Sequence, residues 1–311
     1  MEPSATGRGS NFQRGSGCGP FLPGDVASQF SGGPGGQEHT TARGPQPAGI
    51  RPAGDGRPGN RVYNRWFLLG EKRNELLALW EVQQYGRDSF GDPDYVSIYG
   101  LRPHEWYARG VRILGRTAVE CTRDRLAGLI GRDIAAVART ASAASSMVVD
   151  LFAGSGNTLY WIKRHAGARR AIGFELDDAV FELVRSNISI MGLGIDLRRA
   201  SYQHGLRALG QPAEDLLIVF VAPPWGHALS EGSGLDLRRT QPPVAEVIDV
   251  TTDVLGDRKL LFAIQVFQTV EPDSLGAVTA RLPWSALKVY DVNAPGQNHG
   301  LLLGTWGWAA G

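Results

Sequence analysis

The arrangement of apolar residues changes twice along the chain and divides its 311 residues into three segments. Residues 1–60 are rich in glycine and proline and show almost no apolar periodicity. Such a segment buries too little apolar surface to offset its chain entropy, so we expect a disordered tail, unless translation begins downstream and part of it is not made. Residues 61–146 have helical periodicity, and in residues 147–311 short apolar runs alternate with helical stretches.

The third segment has the pattern of a parallel α/β sheet, in which strands alternate with helices. Seven apolar runs predict strands, namely MVVDLF, RRAIGFEL, IDLRRA, LLIVFVA, KLLFAIQVF, LKVYDV and HGLLLGTWGW, with helices at about 156–167, 177–191, 202–210, 243–256 and 273–281. The last two strands are joined only by NAPGQN. Because a parallel crossover needs roughly a dozen residues or more, this link predicts an antiparallel hairpin at the end of the sheet.

The second segment is predicted to be a helical lead-in to this sheet. Apolar side chains recur at helical spacing over residues 65–82 and again over residues 123–138. Thr122 precedes the second stretch, where its hydroxyl can cap the helix, and Asp124 suits the first turn. We expect two main helices here, in a segment that is a candidate for binding the substrate.

The glycine-rich sequence VVDLFAGSGNT, residues 148–158, follows the first predicted strand. Gly154 and Gly156 allow the backbone to approach a ligand closely, and the helix that begins there favours a carboxylate at its N-terminus. A dinucleotide-binding loop or a simple tight turn are the alternatives. The third glycine of the dinucleotide motif would fall at Leu159, so a pyrophosphate turn is disfavoured.

Two acidic residues at strand ends accompany this loop. Asp150 ends the first strand and can reach an ammonium group, directly or through water. Glu175 ends the second strand, where a carboxylate accepts hydrogen bonds from both hydroxyls of a ribose. Together they favour S-adenosylmethionine over a nicotinamide cofactor. Ser201, just after the third strand, is expected to meet the adenine amine.

The sequence VFVAPPWGH, residues 219–227, ends the fourth strand. Two consecutive prolines cannot continue a strand ladder, so they predict an irregular turn at the carboxyl edge of the sheet, where open α/β folds bind ligands. Trp225, expected to be exposed there, offers a flat surface on which a base can stack. The alternative is a strand-ending turn with a core tryptophan.

These motifs resemble those of amine-directed class I methyltransferases, which carry a D/N/S-P-P-Y/F/W tetrapeptide. The most specific resemblance is to the RNA cap guanine-N2 methyltransferase family, typified by trimethylguanosine synthase, with its motifs F-x-G-x-G-G-N-T and S-P-P-W-G-G. The segment GLDLRRTQPP, residues 234–243, is similar to the D-I-R segment of that family, and ECTRDRLAGLI, residues 120–130, to its T-P-E helix. The likeness spans about residues 105–311.

The resemblance implies a Rossmann-like class I methyltransferase fold, which is an α/β fold with a seven-stranded, mostly parallel sheet and an antiparallel terminal strand. It implies S-adenosylmethionine as the cofactor and no metal. The residues expected to bind the cofactor are Asp150, Phe152, Gly154, Gly156, Asn157, Thr158, Glu175 and Ser201. Pro223, Pro224 and Trp225 are expected to act at the acceptor base, which Ala222 and Trp225 contact. The reaction would methylate an exocyclic amine of a guanine-type base in RNA.

The sequence departs from that family at Ala222, where the family has serine, aspartate or asparagine. A side-chain acceptor at this position localises the lone pair of the amine, and alanine has none. The backbone carbonyls of Ala222 and Pro223 remain as acceptors, so slower catalysis is one interpretation. Another is a different nucleophile in DNA, protein or a small molecule, with His227 as a base. A third is a protein of this fold that binds RNA without turnover.

Composition and charge predict the compartment of this protein and the groups that it can bind. The chain has a formal net charge of +1, two cysteines and no apolar run of membrane-spanning length, so we expect a cytoplasmic protein with no membrane segment and no structural metal. Charge is uneven, however. Eight arginines lie between Arg102 and Arg139, either as a patch that attracts phosphates or as the solvated faces of helices.

Overall fold

The computed structural model describes residues 62–230, 232–292 and 298–310, and the predicted tail over residues 1–60 lies outside them. The helices are α1 (Arg65–Leu69), α2 (Leu79–Phe90), α3 (Pro103–Ala108), α4 (Gly115–Glu120), α5 (Asp124–Thr140), α6 (Asn157–Ala166), α7 (Asp178–Met191), α8 (Tyr202–Ala208), α9 (Val244–Leu255) and α10 (Pro272–Thr279). The strands are β1 (Ser146–Asp150), β2 (Arg170–Glu175), β3 (Asp196–Arg199), β4 (Leu216–Val221), β5 (Leu229–Ser230), β6 (Gly234–Leu235), β7 (Lys259–Phe267), β8 (Trp284–Tyr290) and β9 (His299–Trp306).

The main sheet has seven strands in the order β3-β2-β1-β4-β7-β9-β8. The first five are parallel, and β9 runs antiparallel to both β7 and β8. The predicted terminal hairpin is therefore confirmed, as is the Rossmann-like class I methyltransferase fold. The short ribbon of β5 and β6, which follows the APPW turn, was not predicted.

Apolar residues cover both faces of the sheet. One core cluster joins the strands to α8, α9 and α10, and the other joins them to α5, α6 and α7. A third cluster lies within the lead-in and includes the fully buried Trp106 and Leu68. Because both faces are covered, the open edge at the carboxyl ends of the parallel strands is where a ligand can enter. Within the described ranges, no helix has the length and hydropathy needed to cross a bilayer.

The lead-in differs from its prediction in several details, and its helices α3 and α4 were not predicted. The helix expected over residues 65–82 is two helices, because Gly70 leaves helical geometry with φ −95° and ψ −98° while its N–H still bonds to the carbonyl of Trp66. Thr122 does not cap α5. Arg123 occupies the N-cap without a side-chain hydrogen bond, and the Thr122 hydroxyl instead donates to Oε1 of Gln265 at 3.0 Å. The hydroxyl that the local pattern predicts as a helix cap thus bonds to a distant strand.

Candidate functional site

The glycine loop joins β1 to α6 in a conformation that its two glycines permit. Gly154 has φ +48° and Gly156 has φ +71°, values in the left-handed region that side chains disfavour. The N–H of Gly154 donates to Oε2 of Glu175 at 3.1 Å, and the N–H of Ala153 donates to the carbonyl of Phe174 at 2.9 Å. The loop is therefore held against the end of β2, which brings the two predicted acids to one place.

Asp150 lies beneath this loop and is 1% exposed. Its Oδ1 accepts the N–H of Phe152 at 3.0 Å. Burial raises the pKa of Asp150 to about 7, the Phe152 N–H opposes the rise, and the nearby charge of Glu175 adds to it. Among the described residues no cationic side chain pairs with this carboxylate. A buried acid without a counter-ion suits a ligand that carries an ammonium group.

Glu175 faces the same cleft with both carboxylate oxygens anchored. Oε2 accepts the Gly154 N–H, and Oε1 accepts the N–H of Asp177 at 2.8 Å. Each oxygen keeps lone-pair capacity for a further donor, as a pair of ribose hydroxyls requires. Burial raises the pKa of Glu175, and the backbone N–H groups limit the rise.

Leu176 is a site candidate that the sequence analysis missed. It directly follows Glu175 and is 69% exposed, so its apolar side chain is open to a ligand at this edge of the sheet. It borders an open cleft of about 540 Å³ that is also lined by Arg116 and Asp177, which form an ion pair. The available signal was the apolar residue immediately after a strand-end acid, where a flat ring can pack.

The other residues predicted to bind the cofactor differ in their burial and in their contacts. Phe152 packs beside the ring of Tyr202 at 5.6 Å. Asn157 is fully buried, and its amide accepts the N–H of Tyr99 at 2.7 Å and donates to the carbonyl of Thr122 at 2.8 Å. That amide therefore joins α6 to the lead-in and is already occupied.

Two further members of the predicted set lie at helix N-termini. Thr158 is 7% exposed in the first turn of α6. Ser201 caps α8, since its Oγ accepts the N–H of His204 at 3.3 Å. The same oxygen keeps a lone pair for a second donor. A contact between Ser201 and adenine stays a prediction.

The APPW turn leaves β4 at the same edge. Pro223 is buried, Pro224 is exposed, and Trp225 is half-buried rather than exposed as predicted. The indole packs at 6.2 Å from the ring of Phe267 and at 5.2 Å from that of His299, inclined at 34° to the latter. Packing fixes the orientation of the indole.

The turn also exposes backbone acceptors. The Pro224 carbonyl accepts the N–H of Gln241 at 3.4 Å. The carbonyls of Ala222 and Pro223 have no hydrogen-bond partner among the described residues. They are the acceptors that remain at the position where the related family has a polar side chain. His227 is exposed in the 3-10 turn that follows.

The sequence analysis also missed a series of hydrogen-bonded side chains near this turn. Val221, the last residue of β4, pairs with Ile264, and the residues that follow this pair are Ala222 and Gln265. The Gln265 amide accepts from Thr122 through Oε1, and its Nε2 lies 3.0 Å from Nδ1 of His299. The available signal was a single glutamine within the apolar run KLLFAIQVF.

His299 is neutral in this environment. Burial and, to a smaller extent, the positive charge of Arg123 lower the pKa of His299 to about 4. Because Gln265 donates through Nε2 when its Oε1 accepts from Thr122, Nδ1 of His299 is the acceptor. The imidazole proton therefore resides on Nε2, which makes this nitrogen a hydrogen-bond donor.

One family model matches part of the chain. Residues 135–282, a little under half of the chain, match the model of a family described as conserved hypothetical protein 95. No curated protein matches the sequence.

Solved structures with a similar fold include a putative methyltransferase, yhhF, from Escherichia coli, at 21% identity over 61% of this chain and 91% of that one, with a TM-score of 0.35. An rRNA methylase from Streptococcus thermophilus matches at 15% identity, 57% and 96% coverage and a TM-score of 0.37. Precorrin-6y C5,15-methyltransferase from Geobacter metallireducens matches at 14% identity, 60% and 89% coverage and a TM-score of 0.38. At these values the likenesses concern the fold alone.

In the part of the chain that the structure describes, histidine, cysteine, aspartate and glutamate side chains form no group of three or more that could hold a metal ion.

Proposed function

We propose that this chain is an S-adenosylmethionine-dependent methyltransferase that transfers a methyl group to an exocyclic amine of a nucleobase, with a guanine-type base in RNA as the favoured acceptor. The observation that supports this best is the position of the glycine loop, Glu175 and the APPW turn. They follow β1, β2 and β4, which are consecutive in the order β2-β1-β4. The carboxyl ends of these strands form one edge.

The residues at this edge fit the cofactor in its separate parts. The buried and unpaired carboxylate of Asp150 would bind the ammonium group, and the N-terminus of α6 beyond Gly156 would face the carboxylate. Glu175 would accept the two ribose hydroxyls, and the exposed side chain of Leu176 would cover a face of the adenine. When bound, S-adenosylmethionine supplies an electrophilic methyl group on its sulfonium.

The APPW turn would hold the acceptor in line with that methyl group. Trp225 would stack on the base, and the carbonyls of Ala222 and Pro223 would accept the N–H groups of the amine. These bonds direct the nitrogen lone pair toward the methyl carbon, so most of the rate gain comes from positioning and from stabilising developing charge. The N–C bond forms as the S–C bond breaks. The amine becomes cationic and then releases a proton to water.

The test separates the acceptor classes. Tritiated S-adenosylmethionine would be offered to bulk RNA, DNA and protein, and label is expected in RNA. Label confined to DNA or protein would contradict the RNA assignment. Cofactor binding without any labelling would favour a protein that binds RNA without turnover, the reading that Ala222 motivates.

Calorimetry with S-adenosylhomocysteine tests the cofactor assignment separately. Glu175→Gln removes one carboxylate acceptor and should weaken binding roughly tenfold or more. Glu182→Gln is the matched control, because Glu182 is exposed on α7 and pairs only with Arg185 at 2.6 Å. Equal affinities of the two variants, or no binding by the wild type, would overturn the assignment.

A further inference from the structure

Arg123 differs from the other arginines in its part of the chain. Of the eight between Arg102 and Arg139, it is the one that the structure buries, with 8% of its surface exposed. It is the N-cap residue of α5. The patch anticipated from the sequence therefore consists mostly of solvated side chains, with one arginine that packing has taken out of water.

The buried guanidinium has no polar partner. Among the described residues it forms no hydrogen bond and no ion pair, and its Nη2 is enclosed without a partner. Nε and Nη1 have no partner among the described residues either, but neither is fully enclosed. Burying an unpaired charge is costly, and buried charges in proteins normally have counter-ions. An arginine in this state suits a ligand that brings the missing negative charge.

Aromatic rings hold the guanidinium in one orientation. It lies over the ring of Tyr95 at 3.9 Å, and Tyr95 stacks in turn on Phe90 at 3.4 Å. Stacking covers a face of the guanidinium, whereas its N–H groups lie in the plane of the group, so the stack does not occupy the N–H groups of Nε and Nη1. The guanidinium is thus pre-oriented, which reduces the conformational entropy lost when a ligand binds.

The position of Arg123 connects it to the proposed acceptor site. Its neighbour Thr122 bonds to Gln265, Gln265 bonds to His299, and His299 packs against Trp225. Arg123 is near enough to lower the pKa of His299. His299 presents a neutral Nε2–H donor, which has no partner among the described residues. The side chains beside the indole therefore offer mainly donors, which suits an acceptor-rich anion.

We propose that Arg123 binds a phosphate group of the acceptor nucleotide whose base lies against Trp225. Both bidentate edges of a guanidinium include Nη2, which is enclosed here, so the phosphate oxygen would accept a single charge-assisted hydrogen bond from Nη1 or Nε. The proposal rests on the proposed function, because it takes the acceptor to be a nucleotide. It adds a residue that selects nucleotides over nucleosides and over amine substrates without phosphate.

The first experiment uses inorganic phosphate and does not depend on methyl transfer. Melting temperature would be measured against phosphate concentration at constant ionic strength, for the wild type, Arg123→Met and Arg125→Gln. Arg125 is the control, because it is exposed in the first turn of the same helix. Phosphate should raise the melting temperature of the wild type and of Arg125→Gln and leave Arg123→Met unchanged.

The same variants separate ligand binding from a structural role. Without phosphate, Arg123→Met should melt at the same temperature as the wild type or higher, since the side chain that it replaces has no hydrogen bond to lose. A lower melting temperature together with an unchanged response to phosphate would show that Arg123 is structural and would overturn the proposal. In NMR titrations, phosphate should raise the pKa of His299 from about 4, because the anion offsets the charge of Arg123. No such rise should occur in Arg123→Met.

The second experiment tests the nucleotide itself, with S-adenosylhomocysteine bound. Guanosine 3′- or 5′-monophosphate should bind roughly 10- to 100-fold more tightly than guanosine, the range expected for charge-assisted hydrogen bonds. Arg123→Gln should abolish this preference and leave S-adenosylhomocysteine affinity unchanged, whereas Arg125→Gln should retain the preference. Equal binding of nucleotide and nucleoside by the wild type would overturn the phosphate site and leave the proposed function standing. Failure of S-adenosylhomocysteine to bind would overturn the proposed function, while the phosphate titration would still test Arg123.

Discussion

Asp150 shows how burial gives an ordinary acid a charge that depends on pH near neutrality. Its carboxylate is enclosed between β1 and the glycine loop, with a pKa of about 7 in the free protein. A bound ammonium group would favour the ionised form and lower that pKa. Cofactor binding is then coupled to the release of one proton below neutrality.

The first prediction follows from this coupling. Affinity for S-adenosylhomocysteine should be constant above about pH 7 and should fall roughly tenfold for each unit of pH below it. Calorimetry between pH 5.5 and 8.5 measures this dependence. Asp150→Asn should bind more weakly at pH 8 and lose the dependence on pH. An unchanged slope in this variant would show that another group is responsible.

Asp150 also influences stability, in the opposite sense to most carboxylates. The folded protein holds this proton up to about pH 7, whereas the unfolded chain releases it near pH 4. Between these values the native state binds more protons than the unfolded state, so its contribution to the free energy of unfolding falls as pH rises. Asp150→Asn should therefore be more stable than the wild type at pH 8, with the difference reduced at pH 4, in urea unfolding experiments.

The second prediction concerns Ala222, which stands where the family that the motifs resemble has a side-chain acceptor. Ala222 follows the last registered pair of β4 and β7, Val221 and Ile264, and Gln265 follows it on β7 and takes part in hydrogen bonds to Thr122 and His299. Ala222→Ser restores an oxygen beside the amine and should raise kcat on RNA roughly tenfold, with cofactor affinity unchanged. Ala222→Val enlarges the side chain without an acceptor and should give no gain. A gain in both variants, or in neither, would contradict the assignment of this position.

The connection from β1 to α6 sets how the helix begins and also borders the proposed cofactor site. Gly156 caps α6 with φ +71°, and a Cβ there would meet Val184 at 3.7 Å, which is ordinary contact. Substitution is therefore costly through the backbone conformation and not through steric overlap. Gly167 caps the other end of the same helix with φ +61° and has open space around it.

These two glycines provide a third prediction. Gly156→Ala and Gly167→Ala should each lower the free energy of unfolding by about 1 kcal/mol, because both force alanine into the left-handed region. Gly156→Ala alone should also weaken S-adenosylhomocysteine binding, since its backbone borders the proposed site. Urea unfolding and calorimetry on the same samples separate the two effects. Equal loss of binding in both variants would mean that affinity follows helix stability.

The packing of the lead-in against the sheet is carried partly by two buried asparagines. Asn157 bonds to the backbone of Tyr99 and Thr122, and Asn187 bonds to both backbone groups of Arg112, at 3.1 and 2.8 Å. Each amide thus ties a helix of the sheet domain to the preceding segment. Asn157 differs in that it begins α6, directly after the glycine loop.

The fourth prediction compares these residues. Asn157→Ala and Asn187→Ala should each lower the free energy of unfolding by about 1–3 kcal/mol, because buried backbone groups lose their partners. Asn157→Ala should in addition weaken cofactor binding, since the lead-in would no longer hold the start of α6. Unchanged affinity in this variant would show that the loop keeps its conformation without the lead-in.

From Met147 onward, the sequence by itself determined the order of the helices and of the strands of the main sheet. It also determined the reversed terminal strand and the meeting of Asp150, Glu175 and APPW at one edge. These follow from local information, because apolar periodicity distinguishes strands from helices and the length of a connection decides strand direction. The tertiary structure decided which side chains are buried and what they contact. Thr122 bonds to a residue 143 positions away, Trp225 is half-buried, and Arg123 is enclosed without a partner. No local pattern contains these facts, because burial and pairing depend on segments that only folding brings together.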